Sequence, residues 1–166
     1  YLKIAPKGQV PSLVTDQGQF LTEGAVISQY ICDLNPEKGL LPKWGTWERY
    51  KANEWLNYVA SEIHKTLGAL FSIDRIVTNP EGNQQWREGT FKALGQKFDY
   101  LSEQLSKNKF LLGADFSAAD AYLFTVLNWH RFLKIDLKPW PKLLNYLEQI
   151  QSRPAVLKAM KAQGLL

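Results

Sequence analysis

One cysteine among 166 residues rules out an internal disulfide and fits a reducing compartment. No apolar run approaches the roughly 18 residues of a membrane helix, and no charged-then-apolar segment opens the chain. Lys and Arg, 20 together, are scattered among 16 Asp and Glu, so no basic stripe with interleaved aromatics forms. The net charge of +4 and the isoelectric point near 9.1 therefore suit small anionic ligands better than nucleic acid. The chain is expected to be cytoplasmic, with no nucleic-acid or membrane partner, and no metal is called for. Strand-like sequence is also scarce. It is confined to Gln9-Val10-Pro11-Ser12-Leu13-Val14 and Gln19-Phe20-Leu21, with a turn at Asp16-Gln17-Gly18 between them.

What is present is a core. Hydrophobic residues make up 45% of the chain, with 6 Trp, 7 Tyr and 8 Phe, a composition that excludes disorder. After the hairpin, Thr22-Glu23-Gly24 opens a helix over about Ala25–Leu34, with Ile27, Tyr30, Ile31 and Leu34 on one face. Asn35-Pro36 stops it. Pro36, Gly39, Pro42 and Gly45 punctuate a linker. From there the pattern is helical: one long helix over about Thr46–Phe71, a second from Pro80 carrying Phe91, Leu94, Phe98, Leu101 and Leu105, a third from Ser117, a fourth near Pro141 and a last after Pro154. A two-stranded hairpin is marginal by itself, so further strands are expected before Tyr1.

Four places have the residue types for chemistry. Ser117 and Asp120 are spaced as a capping box, opening a segment, Ala121 to Leu127, that is apolar on all sides and should be buried. With no histidine near them in sequence, the pair reads as structural. On the long helix, Leu56, Val59, Ala60, Ile63, Leu67 and Leu70 form the apolar stripe. Asn57, Ser61, His64 and Gly68 form a second stripe, with Lys65 at its edge. That stripe is either a solvated face or a polar wall for an anionic ligand. Glu23-Gly24, at a strand-to-helix junction, is either a simple helix cap or a grip for an amino-acid head group. In the second case Glu23 would hold an ammonium and free N–H groups a carboxylate. Val10-Pro11 has the sequence for a cis peptide bond. Cys32 lies mid-helix with no group placed to acidify it, and His130 reads as an ordinary helix residue.

Four segments, in order, resemble bacterial glutathione transferases, most closely the beta class. They are Pro6-Lys7-Gly8-Gln9-Val10-Pro11-Ser12-Leu13, Leu21-Thr22-Glu23-Gly24-Ala25-Val26-Ile27, Glu54 to Lys65 and Phe116 to Leu127. The resemblance implies an α/β thioredoxin-like domain, of which only the later β-β-α half is present in residues 1–35. A linker over 36–45 and an all-α domain over 46–166 would follow. It further implies a glutathione site made of Gln9, Val10, Pro11, Glu23, Gly24, Asn57, Ser61, His64 and Lys65. Glutathione would be the co-substrate, an electrophile or a disulfide the second substrate, and the protein a homodimer serving detoxification. Gly24 stands where many relatives have Ser or Thr. The family's first strand, first helix and second strand are not in this sequence, so the residue contacting the glutathione sulfur, a cysteine in the beta class, is expected upstream of Tyr1. A non-enzymatic binding module of the same fold and an inactive truncated remnant are the alternatives. Retention of the polar residues just named argues against the first of these.

Overall fold

A computed structural model of the chain describes residues 1–166. The hairpin is β1 (Ser12–Val14) paired antiparallel with β2 (Phe20–Thr22), in the register Ser12↔Thr22, Leu13↔Leu21, Val14↔Phe20. Both strands are shorter than the extended sequence suggests. Gly18, at φ +76°, carries the left-handed step of the turn, a conformation that costs glycine little. The chain then enters α1 (Gly24–Asp33). Its expected apolar face is only half used. Ile27 is buried, but Ile31 and Leu34 are 49% and 62% exposed, and Cys32 is buried instead.

A buried guanidinium ties this first region to the helices. Arg49 is 1% exposed and makes a two-pronged ion pair with Asp33, Nη1–Oδ1 2.8 Å and Nη2–Oδ2 2.9 Å. It also donates to the Pro42 carbonyl at 3.1 Å and to Gln29 Oε1 at 3.2 Å, and its charge lies 4.0 Å from the Trp44 ring centroid. The Trp44 indole donates to the same Asp33 carboxylate at 2.7 Å. One cation thus joins α1, the linker and the next helix. Removing Asp33 would leave the buried Arg49 charge without its counter-ion, the costly case.

The helix expected over Thr46–Phe71 is not one regular α-helix. It runs as α2 (Trp47–Tyr58), a π-helical stretch over Val59–His64, and α3 (Lys65–Leu70). Thr46 caps its start by accepting from the Arg49 N–H at 3.2 Å. A short α4 (Ile73–Ile76) precedes α5 (Pro80–Lys107), whose 28 residues make a rod of about 42 Å. Asn79 caps α5 through the Gly82 N–H at 2.7 Å. Leu94, Phe98, Leu101 and Leu105 are buried along one face as expected, but Phe91 is 40% exposed. Then come α6 (Ala118–Leu127), α7 (His130–Leu133), α8 (Pro141–Gln151) and α9 (Pro154–Ala162).

Helix α6 is the hub, packing against α1, α2, the π-helical stretch and α8. It sits in one continuous core that includes Leu56, Val59, Ile63, Leu67, Leu94, Phe98, Leu101, Leu123, Leu127, Leu143 and Ile150. Its N-terminus has the expected capping box, but the carboxylate does more than cap. Asp120 is fully buried. Its Oδ2 accepts from the Ser117 N–H at 2.8 Å and the Ser117 hydroxyl at 2.6 Å. Its Oδ1 accepts from the Leu111 N–H at 2.8 Å and the Tyr146 hydroxyl at 2.9 Å. Burial and the adjacent carboxylate push the Tyr146 phenol well above its usual value, so it stays a donor. Four bonds converge on one carboxylate and link α6 to the loop after α5 and to α8.

Candidate functional site

A cleft of about 1110 Å³ separates the hairpin region from the helices. One wall is Lys7-Gly8-Gln9-Val10-Pro11 with Thr22-Glu23-Gly24. The other is Ala60, His64 and Lys65, with Tyr122 and Trp129 behind them. Seven of the residues expected in a binding site, Gln9, Val10, Pro11, Glu23, Gly24, His64 and Lys65, meet here.

The first wall offers unpaired backbone. Val10-Pro11 is cis. Val10 is 80% exposed, and neither its N–H nor its carbonyl has a partner in the protein. At the α1 N-terminus the Gly24 N–H is likewise unpaired, as the first N–H groups of a helix must be unless something outside the helix accepts from them. The capping reading of Glu23 is overturned. Its side chain makes no capping hydrogen bond. Instead the carboxylate, 61% exposed, is ion-paired with Lys7 Nζ at 2.7 Å, and the same ammonium donates to Thr22 Oγ1 at 3.2 Å.

The unusual backbone at this junction belongs to Glu23, at φ +70° and ψ 112°, and not to Gly24. A β-carbon on Gly24 would meet Pro11 at 3.5 Å, an ordinary contact. So the permissiveness of glycine is not what the junction uses. A non-glycine residue held at positive φ is uncommon and, where observed, points to a functional constraint.

The second wall is set by the π-helical stretch. A π turn closes i→i+5 and takes up one extra residue, so the following residues are rotated by about 100° from a continuous α-helix. Asn57 falls off the His64 face for that reason. Asn57 and Ser61 are exposed and lie outside the cleft, while Ala60 takes the place beside His64. The His64 ring is held on two sides. Nδ1 lies 2.7 Å from the Tyr122 hydroxyl. Trp129 packs edge-on at 4.8 Å between centroids and an 84° interplanar angle, and is itself backed by Phe71 at 5.4 Å. Burial holds the His64 imidazole below the usual histidine range, so the ring is neutral near pH 7. The Tyr122 phenol is pushed up by burial and by the charge of Glu23.

Lys7, Tyr122, Thr125 and Trp129 line the cleft without having been expected there. Only Tyr122 and Trp129 carry a signal: each is an aromatic with a polar tip in a segment otherwise bound for the core, where such a tip needs a partner. The other marked residues are structural. Cys32 is buried and its thiol is pushed up by that burial, and His130 Nδ1 rests 3.3 Å from the Ile135 carbonyl. A second cavity of about 650 Å³ lies between the linker, α2 and α5. It is floored by Trp55, Tyr58 and Tyr100 and contains none of the expected glutathione residues.

A turn with unpaired backbone beside a cis proline thus faces a helical wall that carries a half-buried imidazole. Comparison with known proteins identifies the family. Residues 1–39 match the glutathione S-transferase N-terminal domain and residues 55–154 the glutathione S-transferase C-terminal domain. The chain is 38% identical over 165 residues to glutathione S-transferase GstA of Escherichia coli O157:H7, covering 99% of this chain and 79% of that protein. It superposes with a TM-score of 0.88 on a sphingomonad glutathione S-transferase complexed with glutathione, at 35% identity, and on the bacterial beta-class glutathione S-transferase of Sphingomonas chungbukensis, at 34%. Each superposition covers 99% of this chain and 79% of the other. The chain belongs to the glutathione S-transferase family. No helix is long and apolar enough to cross a membrane.

Proposed function

We propose that the cleft binds glutathione and presents its thiolate to a small electrophile, or to a disulfide for exchange. The observation that carries this is the meeting of Glu23, the free Gly24 N–H and the unpaired Val10 backbone with His64 and Lys65 across one cleft. Glu23 takes the ligand ammonium, in competition with Lys7. The Gly24 N–H at the α1 N-terminus takes a carboxylate. The Val10 backbone pairs with the cysteinyl unit beside Pro11, and Gln9 holds a neighbouring group. Lys65 supplies charge to an anionic ligand and His64 a neutral ring. A thiolate is the nucleophile in either reaction. In this division of labour residues 1–35 form the peptide-binding side, 36–45 the linker and 46–166 the helical wall.

Asn57 and Ser61 enter this reading by a different route. They lie on the outer surface of α2 and the π-helical stretch, so they could serve glutathione only from a neighbouring subunit. The homodimer is therefore a precondition for the contribution of these two residues. Light scattering gives the first, and the effect of Asn57→Ala on affinity gives the second. A cytoplasmic detoxifying role is proposed with it, on the single buried cysteine and the family.

Calorimetric titration with glutathione tests the site. A charge-assisted hydrogen bond is worth about 1.5–3 kcal/mol, so Glu23→Ala should weaken binding by roughly ten- to a hundredfold. Unchanged affinity would overturn the assignment and favour a non-enzymatic module of the same fold.

A further inference from the structure

We propose that Tyr122 is a positioning residue: its hydroxyl locks His64 in the tautomer that carries the proton on Nε2, so that a neutral N–H donor faces the cleft. This deepens the glutathione reading and rests on it for the identity of the ligand.

Tyr122 Oη and His64 Nδ1, 2.7 Å apart, share the only hydrogen bond either side chain makes. Either atom could be the donor in principle. A neutral imidazole nitrogen is a strong acceptor and a phenol a strong donor, whereas a phenol oxygen is a poor acceptor and an imidazole N–H a weak donor. The O–H···N arrangement is therefore favoured, and it places the ring proton on Nε2. The Tyr122 phenol has no other acceptor to turn to. Burial, and after it the charge of Glu23, keeps the phenol protonated.

His64 Nε2 has no partner in the protein, and it is not among the buried polar atoms left without one. It is therefore open to solvent, and His64 meets solvent in the cleft. The ring cannot swing to another bond without breaking the edge contact with Trp129, which Phe71 supports. The π-helical stretch fixes the backbone from which the ring projects. A fixed ring with a fixed tautomer is a preorganised donor for an anionic atom of the ligand, which need not spend binding energy on selecting it. The neighbouring Lys65 supplies the full charge that the neutral ring does not.

The chain has two histidines, so long-range 15N–1H correlation spectra resolve both rings, and His64→Gln assigns them. In the wild type, His64 Nδ1 should resonate in the pyridine-type region and Nε2 in the pyrrole-type region. A proton found on Nδ1 would overturn the proposal without any mutant being made. In Tyr122→Phe the two nitrogens should move toward averaged values. Glutathione should bind about three- to tenfold more weakly, as expected for loss of one neutral hydrogen bond. On a His64→Gln background the same substitution should add nothing. An equal loss on that background would show that Tyr122 acts by its own contact, which overturns the positioning role. If the tautomer responds to Tyr122→Phe but glutathione leaves the His64 resonances unmoved, the lock stands and the glutathione reading falls.

Discussion

Two helix N-termini in this protein solve the same problem in opposite ways. Every helix begins with N–H groups that its own turns cannot satisfy. At α6 the chain supplies what is missing from within. Ser117 caps and Asp120 gathers four hydrogen bonds, all buried. At α1 no side chain caps. Glu23 holds an uncommon positive φ without capping, its carboxylate reaches out to Lys7, and the Gly24 N–H stays open at the cleft. A carboxylate in a closed network stabilises the fold. One left in a cleft, beside unpaired donors, is available to a ligand.

The sharpest way to break that contrast is Asp120→Ala. A helix cap alone is worth about 1 kcal/mol. Here three further groups, the Leu111 N–H, the Tyr146 hydroxyl and the Ser117 hydroxyl, would lose their acceptor in the interior, so a loss of at least about 3 kcal/mol is expected. Chemical denaturation measures it. A loss near 1 kcal/mol would mean that the network is only a cap, and the two N-termini would be less different than they look.

Glu23→Ala should behave in the reverse sense. Its melting temperature should stay close to wild type, since the side chain is exposed and an exposed ion pair contributes little, while glutathione affinity falls by roughly ten- to a hundredfold. A large loss of stability in this variant would make Glu23 structural and remove the contrast.

Acid separates the two histidines from the Asp33 ion pair. Burial lowers the pKa of His64, and of His130 too, with the Ile135 carbonyl partly opposing it there. In the unfolded chain both return to about 6.5. The unfolded state therefore binds more protons as the pH falls below that value. Stability should be full above it and decline toward the lower folded values. His64→Gln should flatten part of this decline in pH-dependent thermal melts. Asp33 titrates lower still. The hydrogen bond from Arg49 depresses it most, so its contribution is present above the usual carboxylate range and lost only in stronger acid.

The smallest effect is expected from Gly24→Ser. The new β-carbon meets Pro11 at an ordinary 3.5 Å and the backbone there needs no glycine, so stability should change by less than about 0.5 kcal/mol. The hydroxyl adds a donor beside the carboxylate position, and glutathione should bind up to a few fold more tightly by calorimetry. A collapse of stability would show that the junction needs glycine after all.

Much of this was legible from residues alone because the signals are local. A capping box is defined by residues three apart, a hairpin by alternation around a turn, and a helix stop by Asn35-Pro36. The candidate cleft was legible in part: Gln9, Val10, Pro11, Glu23, Gly24, His64 and Lys65 share it. That Asn57 and Ser61 do not line the same cleft has a definite cause. Projecting their stripe assumed a constant 100° per residue, and nothing in Val59-Ala60-Ser61-Glu62-Ile63-His64 announces a π turn. Arg49 was missed because a lone arginine near a helix start reads as solvated. Its burial depends on Asp33 at the end of α1 converging with Pro42 and Trp44 of the linker.

By itself, then, the order of residues determined the hairpin, the main helices, most of the apolar faces of the long ones and the family. Periodicity and capping act within a few residues and survive without a partner. Tertiary structure decided which side chains meet: Lys7 with Glu23, Tyr122 with His64, four donors with Asp120. Those pairings join residues up to 58 positions apart, and only the packed core brings them within bonding distance, where burial makes an unmet donor or charge too costly to leave.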